Sequence, residues 1–427
     1  MARMTVPQGA ALSIGAVLGT GVIALPALAA QVAGPASLIA WLALIALSVP
    51  LAGTFAALGA RYPDAGGVST YVRTAFGRRA AAVVGWCFYF AIPAGAPAAA
   101  MFAGAYVAAA LGGGIRTTIG TAAALIVIVA AANAGGVRIS GRLQLGLAAL
   151  LVVLLVVATV SALPHARLAN LHPFAPHGWL AIGPAAAVLV WGFAGWEAVT
   201  SLAADYRRPA RDVPRATAIA VVVVGLLYLG VVGASILVLG PASGSTGAPL
   251  AELLAIGVGG QVRVLTAIVA VLLTLGAMNA YFAGGAKLGA ALGRDNALPA
   301  WFARGSSAGE VPRRSLAVVS GLGMLALAAV AVSGVGPRLS VLLTTGSFVV
   351  VYLLGMAAAV RLLPQGSWSR RGALVAFAAV VVLLFMIGWY VLWTLIIAGA
   401  ALVYDRHSRR RQPASGPAAP IAVNLSG

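Results

Sequence analysis

Two short stretches of this chain combine glycine and polar residues where an apolar helix would be expected. Residues 15–23 read Gly-Ala-Val-Leu-Gly-Thr-Gly-Val-Ile, in the middle of an apolar segment long enough to span a bilayer. Residues 191–197 read Trp-Gly-Phe-Ala-Gly-Trp-Glu, about 170 residues later. Glycine lets a helix unwind, so that backbone N–H and C=O groups turn away from one another and toward a ligand. Paired interruptions at corresponding places in the two halves of a many-span chain point to a solute-binding site near mid-membrane. The end of one half-helix offers free N–H groups and partial positive charge, which suit a carboxylate. The other end offers free carbonyls, which suit an ammonium group. A zwitterionic amino acid carries both. Gly19, Thr20 and Gly21 are the carboxylate candidates. Gly192, Phe193 and Gly195 are the candidates for the ammonium group and the side-chain pocket. The alternative for each glycine is close helix packing, which small residues also serve.

Glu197 is the one acidic residue placed well inside a span. A charge at the membrane centre costs roughly 2.5–3.5 kcal/mol on insertion scales. The neutral acid is therefore accessible, and Glu197 is the candidate proton carrier. The competing role is structural, accepting N–H groups freed by the broken helix. Asn279 either lines the cavity or makes an interhelical hydrogen bond. Lys287 lies near a span end, where a lysine snorkels to the interface. No second buried carboxylate is available for a cationic solute and no buried arginine for an acidic one, so the transported side chain is expected to be apolar. Tyr89 and Pro93 are the expected pocket residues on the third span.

These residues need elements that hold them at membrane depth, and the composition supplies them. Of 427 residues, 62% are hydrophobic and 8% charged, with a mean hydropathy of +1.02; a soluble domain carries about 25% charge. Spans are expected near 8–30, 36–59, 80–110, 118–134, 142–163, 180–204, 215–239, 260–290, 315–333, 339–360, 372–386 and 388–404. The last two adjoin at Gly388, and one long tilted helix is the alternative there. Short helices are expected over 68–76 and 248–256. The N-terminal apolar stretch, with Ala27-Leu-Ala29, has some character of a secretion signal. Its length and the spans after it favour a retained first helix.

The net charge of +19 lies in short arginine runs between spans, the pattern of membrane orientation rather than of nucleic-acid binding. With both termini inside, only Arg116, Arg167, Arg263 and Arg338 fall outside, leaving 23 of the 27 basic residues within. The single cysteine, Cys87, excludes an internal disulfide. Three of the four histidines share one loop without helical metal spacing or a carboxylate, so no metal and no cofactor are expected. The tail from 412 to 427, rich in Pro, Ala and Ser, is expected to be disordered.

On these residues the chain resembles the amino acid–polyamine–organocation (APC) transporter superfamily. Gly15–Pro26 is similar to its first-helix signature, and Arg61-Tyr-Pro-Asp-Ala-Gly-Gly67 to the loop after helix two. Residues 133–144 resemble the link between helices four and five. Residues 191–197 with Arg208–Pro214 resemble helix six and its following loop, and Gly293–Pro299 the segment after helix eight. Short loops and the Pro63–Gly67 and Ala75-Phe-Gly77 segments look most like bacterial exporters of methionine and branched-chain amino acids. The resemblance implies an all-α polytopic membrane fold of about twelve helices. It is built as a 5+5 inverted repeat, 8–163 and 180–360, with helices one and six discontinuous and 372–404 appended. It also implies an aromatic gate at Trp191. Some relatives carry a coupling lysine in helix five, and this chain has none between Leu143 and Ser161. Sodium coupling is the lesser alternative to protons, because helix eight has Thr266 and Thr274 but no adjacent serine–threonine pair.

The sequence thus predicts a multi-pass carrier of the bacterial inner membrane, exporting neutral amino acids such as methionine, leucine, isoleucine or valine against inward proton flow. Import or exchange is the nearest alternative. A membrane-embedded enzyme would need a nucleophile–base pair or metal ligands at depth, and a channel would need rings of polar residues.

Overall fold

The computed structural model describes residues 4–62, 67–136, 141–197, 200, 203–305 and 310–410. The expected loop residues 63–66 and 137–140 and the tail 412–427 lie outside the described residues. Among those described there is no strand; one isolated bridge joins Met4 to Tyr206.

Ten described helices are long and apolar enough to cross a membrane. The expected first and sixth spans are not among them, because each is an apolar helix that stops short, Val6–Leu18 and Trp179–Phe193. The helices in chain order are α1 (Val6–Leu18), α2 (Leu25–Ala33), α3 (Ser37–Arg61), α4 (Val68–Phe76), α5 (Arg78–Leu111), α6 (Ile115–Ala134), α7 (Gly141–Ala162) and α8 (Ile182–Leu189). They continue with α9 (Pro209–Leu239), α10 (Pro249–Gly257), α11 (Val262–Arg294), α12 (Arg313–Ser333), α13 (Pro337–Leu362), α14 (Trp368–Met386) and α15 (Val391–Arg410). The surface helices expected over 68–76 and 248–256 are α4 and α10. The last apolar region is two helices, separated by a tight turn at Gly388–Tyr390.

Helix starts follow local chemistry. Thr5 caps α1 in a capping box, with the Gln8 side chain reaching back to the Thr5 N–H at 3.0 Å. α9 opens with Pro209, and Asp212 accepts the Arg208 N–H at 3.1 Å. The helix therefore begins six residues before the expected 215.

α5 is the central post and packs against α6, α11, α12 and α13. The apolar windows of α5 and α13 are 72% buried, against 22–28% for α6, α7, α14 and α15, so the latter present most of their surface to lipid. α5 also carries Pro93 and Pro97. Each removes a ladder hydrogen bond, so the post is loosened at mid-height, beside the two helix breaks.

Candidate functional site

The first break begins where α1 ends. Gly19 takes φ 39° and ψ −145°, a conformation that L side chains rarely adopt. Its N–H still reaches Gly15 O at 3.2 Å, and the helix restarts as Leu25 N–H bonds Gly21 O at 2.8 Å. Among the described residues, no backbone hydrogen bond uses the N–H of Thr20 or Gly21 or the carbonyl of Ala16. Backbone donors and acceptors are thus left open side by side, since the Gly19 and Thr20 carbonyls and the Ile23 N–H are in no backbone hydrogen bond among the described residues either, and the Thr20 side chain beside them is buried.

In the second break, α8 tightens through Val190–Phe193, turns extended at Ala194, and passes Gly195 at φ 132°. A Cβ on Gly195 would lie 2.8 Å from Ala16 O, so the two breaks meet backbone to backbone. Glu197 folds back over its own segment. Its carboxylate accepts from the Gly195 N–H at 2.9 Å and from the Tyr352 hydroxyl of α13 at 2.5 Å. Tyr352 Oη also lies 3.3 Å from Phe193 O. On the far side, Tyr228 of α9 directs its hydroxyl to Gly192 O at 2.5 Å and lies 3.3 Å from Val17 O.

A cavity of about 240 Å³ opens beside the first break. Gly19, Thr20, Gly21 and Trp191 line it, with Phe88, Ile92 and Gly95 of α5, Met278 and Tyr281 of α11, and Thr344 and Phe348 of α13. Among the described residues, no charged side chain lines it. Phe88 and Phe348 meet edge to face at 5.8 Å, and Trp191 meets Phe102 at 6.2 Å. One turn beyond Phe102, Tyr106 ties the first break to α10, donating to Ile23 O at 2.6 Å and accepting from Leu250 N–H of α10 at 3.2 Å.

The other candidates fall elsewhere. Gly195 and Glu197 line a second cavity of about 310 Å³, which shares Ala16, Gly19, Ala277, Ala280 and Tyr281 with the first. Asn279 lines a third, of about 250 Å³, and its Oδ1 accepts from Asn133 Nδ2 at 2.8 Å. Gly192 and Phe193 do not line the central cavity. Gly192 packs on Leu25 and Tyr228, where an added Cβ would lie 2.6 Å from Leu25 Cδ1. Phe193 packs its ring against Trp41 and Tyr228, with centroids 5.9 and 5.1 Å away. The Gly192 carbonyl is met by the Tyr228 hydroxyl, while the Phe193 carbonyl lies 3.3 Å from Tyr352 Oη, whose proton goes to Glu197; the open acceptors on the cavity wall are those of the first break, Ala16 O among them. Tyr89 also faces away, bonding Ser315 O at 3.3 Å. The cavity face of α5 instead runs through Phe88, Ile92, Gly95 and Ala99.

Sequence reasoning missed the tyrosines. Tyr106, Tyr228 and Tyr352 all lie within apolar spans, where a hydroxyl needs an internal partner, so each is a legible pointer to freed backbone. The run Thr344-Thr-Gly-Ser347 inside an otherwise apolar span was a similar signal.

The sequence matches a model of the family described as amino acid permease over residues 5–426. It is 33% identical over 403 residues to the uncharacterized amino acid permease YecA of Bacillus subtilis (strain 168), covering 93% of this chain and 94% of that protein. It is 34% identical over 417 residues to the L-methionine/branched-chain amino acid exporter YjeH of Escherichia coli (strain K12), covering 96% and 97%. The branched-chain amino acid permease BcaP of Bacillus subtilis (strain 168) is 29% identical over 242 residues, about half of each chain.

Proposed function

Because the chain belongs to the amino acid permease family, we propose that it exports neutral, apolar L-amino acids such as methionine, leucine, isoleucine and valine in exchange for protons. The observation that carries this reading is an uncharged, largely apolar cavity with open backbone donors and an open backbone acceptor on one wall. The substrate carboxylate sits on the Thr20 and Gly21 N–H groups, where the end of a half-helix favours negative charge. The ammonium group sits on Ala16 O, and the side chain lies among Phe88, Met278, Trp191 and Phe348. A cationic or acidic side chain would be desolvated there without a partner. The similarity to an exporter named for methionine and branched-chain amino acids, over nearly the full length of both chains, supports the same substrate class.

Glu197 is the proton carrier in this reading. As the anion it accepts from Gly195 and Tyr352 and fastens the second break to α13. As the neutral acid, protonated on its other oxygen, it can accept both hydrogen bonds on Oε2 only without charge assistance, which loosens that fastening. Protonation therefore changes the tension between the break and α13, an element that also lines the substrate cavity through Thr344 and Phe348. Alternating access follows if the halves 8–163 and 180–360 are inverted repeats that rock about the two breaks. The charge bias of the loops supports cytoplasmic termini in a bacterial plasma membrane, so the cavities near Lys287 face the cytoplasm.

The test is uptake of labelled leucine and methionine into inside-out vesicles with an acidified lumen. Accumulation that collapses with a protonophore is the expected result. Exchange against preloaded amino acid without accumulation would replace antiport with obligatory exchange, and absence of any flux would overturn the substrate assignment.

A further inference from the structure

The third cavity is as large as the central one, about 250 Å³ against 240 Å³, and unlike it carries charge of both signs. Lys287 of α11 and Glu310, just before α12, both line it, with Asn133, Asn279 and Gln144. Neither Lys287 nor Glu310 is in an ion pair among the described residues. Asn133 and Asn279 are each 7% exposed. Asn133 Nδ2 donates to both Val129 O and Asn279 Oδ1. That leaves Asn279 Nδ2 as a donor and Asn133 Oδ1 as an acceptor without partners among the described residues, and neither atom is sealed from the cavity. A buried amide pair with one open donor and one open acceptor is costly unless water or a ligand completes it.

The arrangement also lies on a path. The third cavity shares Gln144 and Ala280 with the second, and the second shares five residues with the central cavity. A solute entering past Lys287 meets the third cavity before it meets Thr20.

We propose that this mouth holds a second amino-acid site, in which Lys287 and Asn279 take the α-carboxylate and Glu310 and Asn133 take the α-ammonium of a zwitterion. It is a waiting site that feeds the central one, and it rests on the amino-acid reading given above. The remaining wall is small and apolar, with Ala280, Ala283 and Val311, so it reads the zwitterion and is tolerant of the side chain. Selection is left to the aromatic central cavity. Lys287 and Glu310 are exposed, so substitutions there leave the packed helices intact.

The experiment is equilibrium binding of labelled leucine to the purified full chain, up to millimolar ligand, paired with transport from each face. Two molecules bound per wild-type chain, and one in Lys287→Met and in Glu310→Gln, is the expected result, with Lys287→Arg restoring the second. The KM from the Lys287 side should rise at least about tenfold in both variants, the equivalent of one charge-assisted hydrogen bond. The kcat and the KM from the opposite face should hold. One molecule per wild-type chain with transport intact overturns the waiting site and leaves the transport reading standing. Two molecules retained in both variants also overturns it. No binding at all overturns the substrate assignment and this inference with it.

Discussion

Replacing Glu197 by glutamine separates energy coupling from transport. Among the described residues, Glu197 is the one carboxylate on the two connected cavities around the helix breaks, so each cycle should carry one proton. A gradient of about one pH unit is worth about 1.4 kcal/mol. With the membrane potential clamped at zero, wild-type inside-out vesicles should therefore stop at about tenfold accumulation of leucine. A lumen-positive potential of about 100 mV adds about 2.3 kcal/mol for the one charge moved, or about fiftyfold more. Glutamine mimics the protonated acid: its carbonyl can accept from the Gly195 N–H and the Tyr352 hydroxyl without the charge, so the break should sit in the loosened, proton-bound fastening. The variant should show counterflow within about threefold of wild type, a change of under 1 kcal/mol in barrier, and no accumulation under either force. A tenfold gradient built by the glutamine variant would refute the reasoning. Glu197 would then only hold the break, and the proton would travel elsewhere.

Gly195→Ala puts a Cβ 2.8 Å from Ala16 O at φ 132°, a backbone strain of roughly 1–3 kcal/mol. It should abolish uptake and lower the melting temperature of the purified protein, and an unaltered variant would mean that the breaks do not touch. Gly95→Ala places a methyl 2.8 Å from the Trp191 ring and 3.0 Å from Thr344 Oγ1; the cavity narrows, and the KM for leucine should rise more than that for alanine. Tyr106→Phe removes the hydroxyl linking Ile23 O to Leu250 N–H. At about 1 kcal/mol for each of the two hydrogen bonds, the population open past Phe102 should grow about thirtyfold. Labelling of a cysteine placed at Ala99 by a membrane-impermeant thiol reagent, in a background lacking Cys87, reads this directly, and an unchanged labelling rate would remove Tyr106 from the closure.

Both helix breaks were legible because they violate the composition of the spans that contain them. Gly19-Thr-Gly21 and Gly195 stand out against alanine, leucine and valine, and the positive φ at Gly19 and Gly195 is the backbone consequence. Loop charge and apolar length located the remaining spans to within a few residues, except where Pro209 and Asp212 start α9 six residues early and where α15 runs six residues past the expected 404. Helix faces were not legible. In a soluble helix, polarity marks the outer face, but α5 is apolar all round, since lipid, packing and an apolar cavity make the same demand on a side chain. Tyr89 and Phe88 are therefore equivalent in sequence and opposite in space. The same limit put Gly192 and Phe193 in the cavity. Asn279 is a different case: one polar residue on a span has many possible partners, and Asn133 is 146 residues away.

The Tyr228 hydroxyl has a single proton and two carbonyls within reach, Gly192 O and Val17 O, one from each interrupted helix. A donor so placed has an alternative acceptor waiting when either partner withdraws. If the interrupted helices slide past each other, the bond can transfer from one strand of the seam to the other, and no hydroxyl is stranded in a medium without water. Sliding then costs the difference between two similar bonds instead of the loss of one. The seam acts as a bearing: it fixes which surfaces stay together while leaving their relative position nearly free.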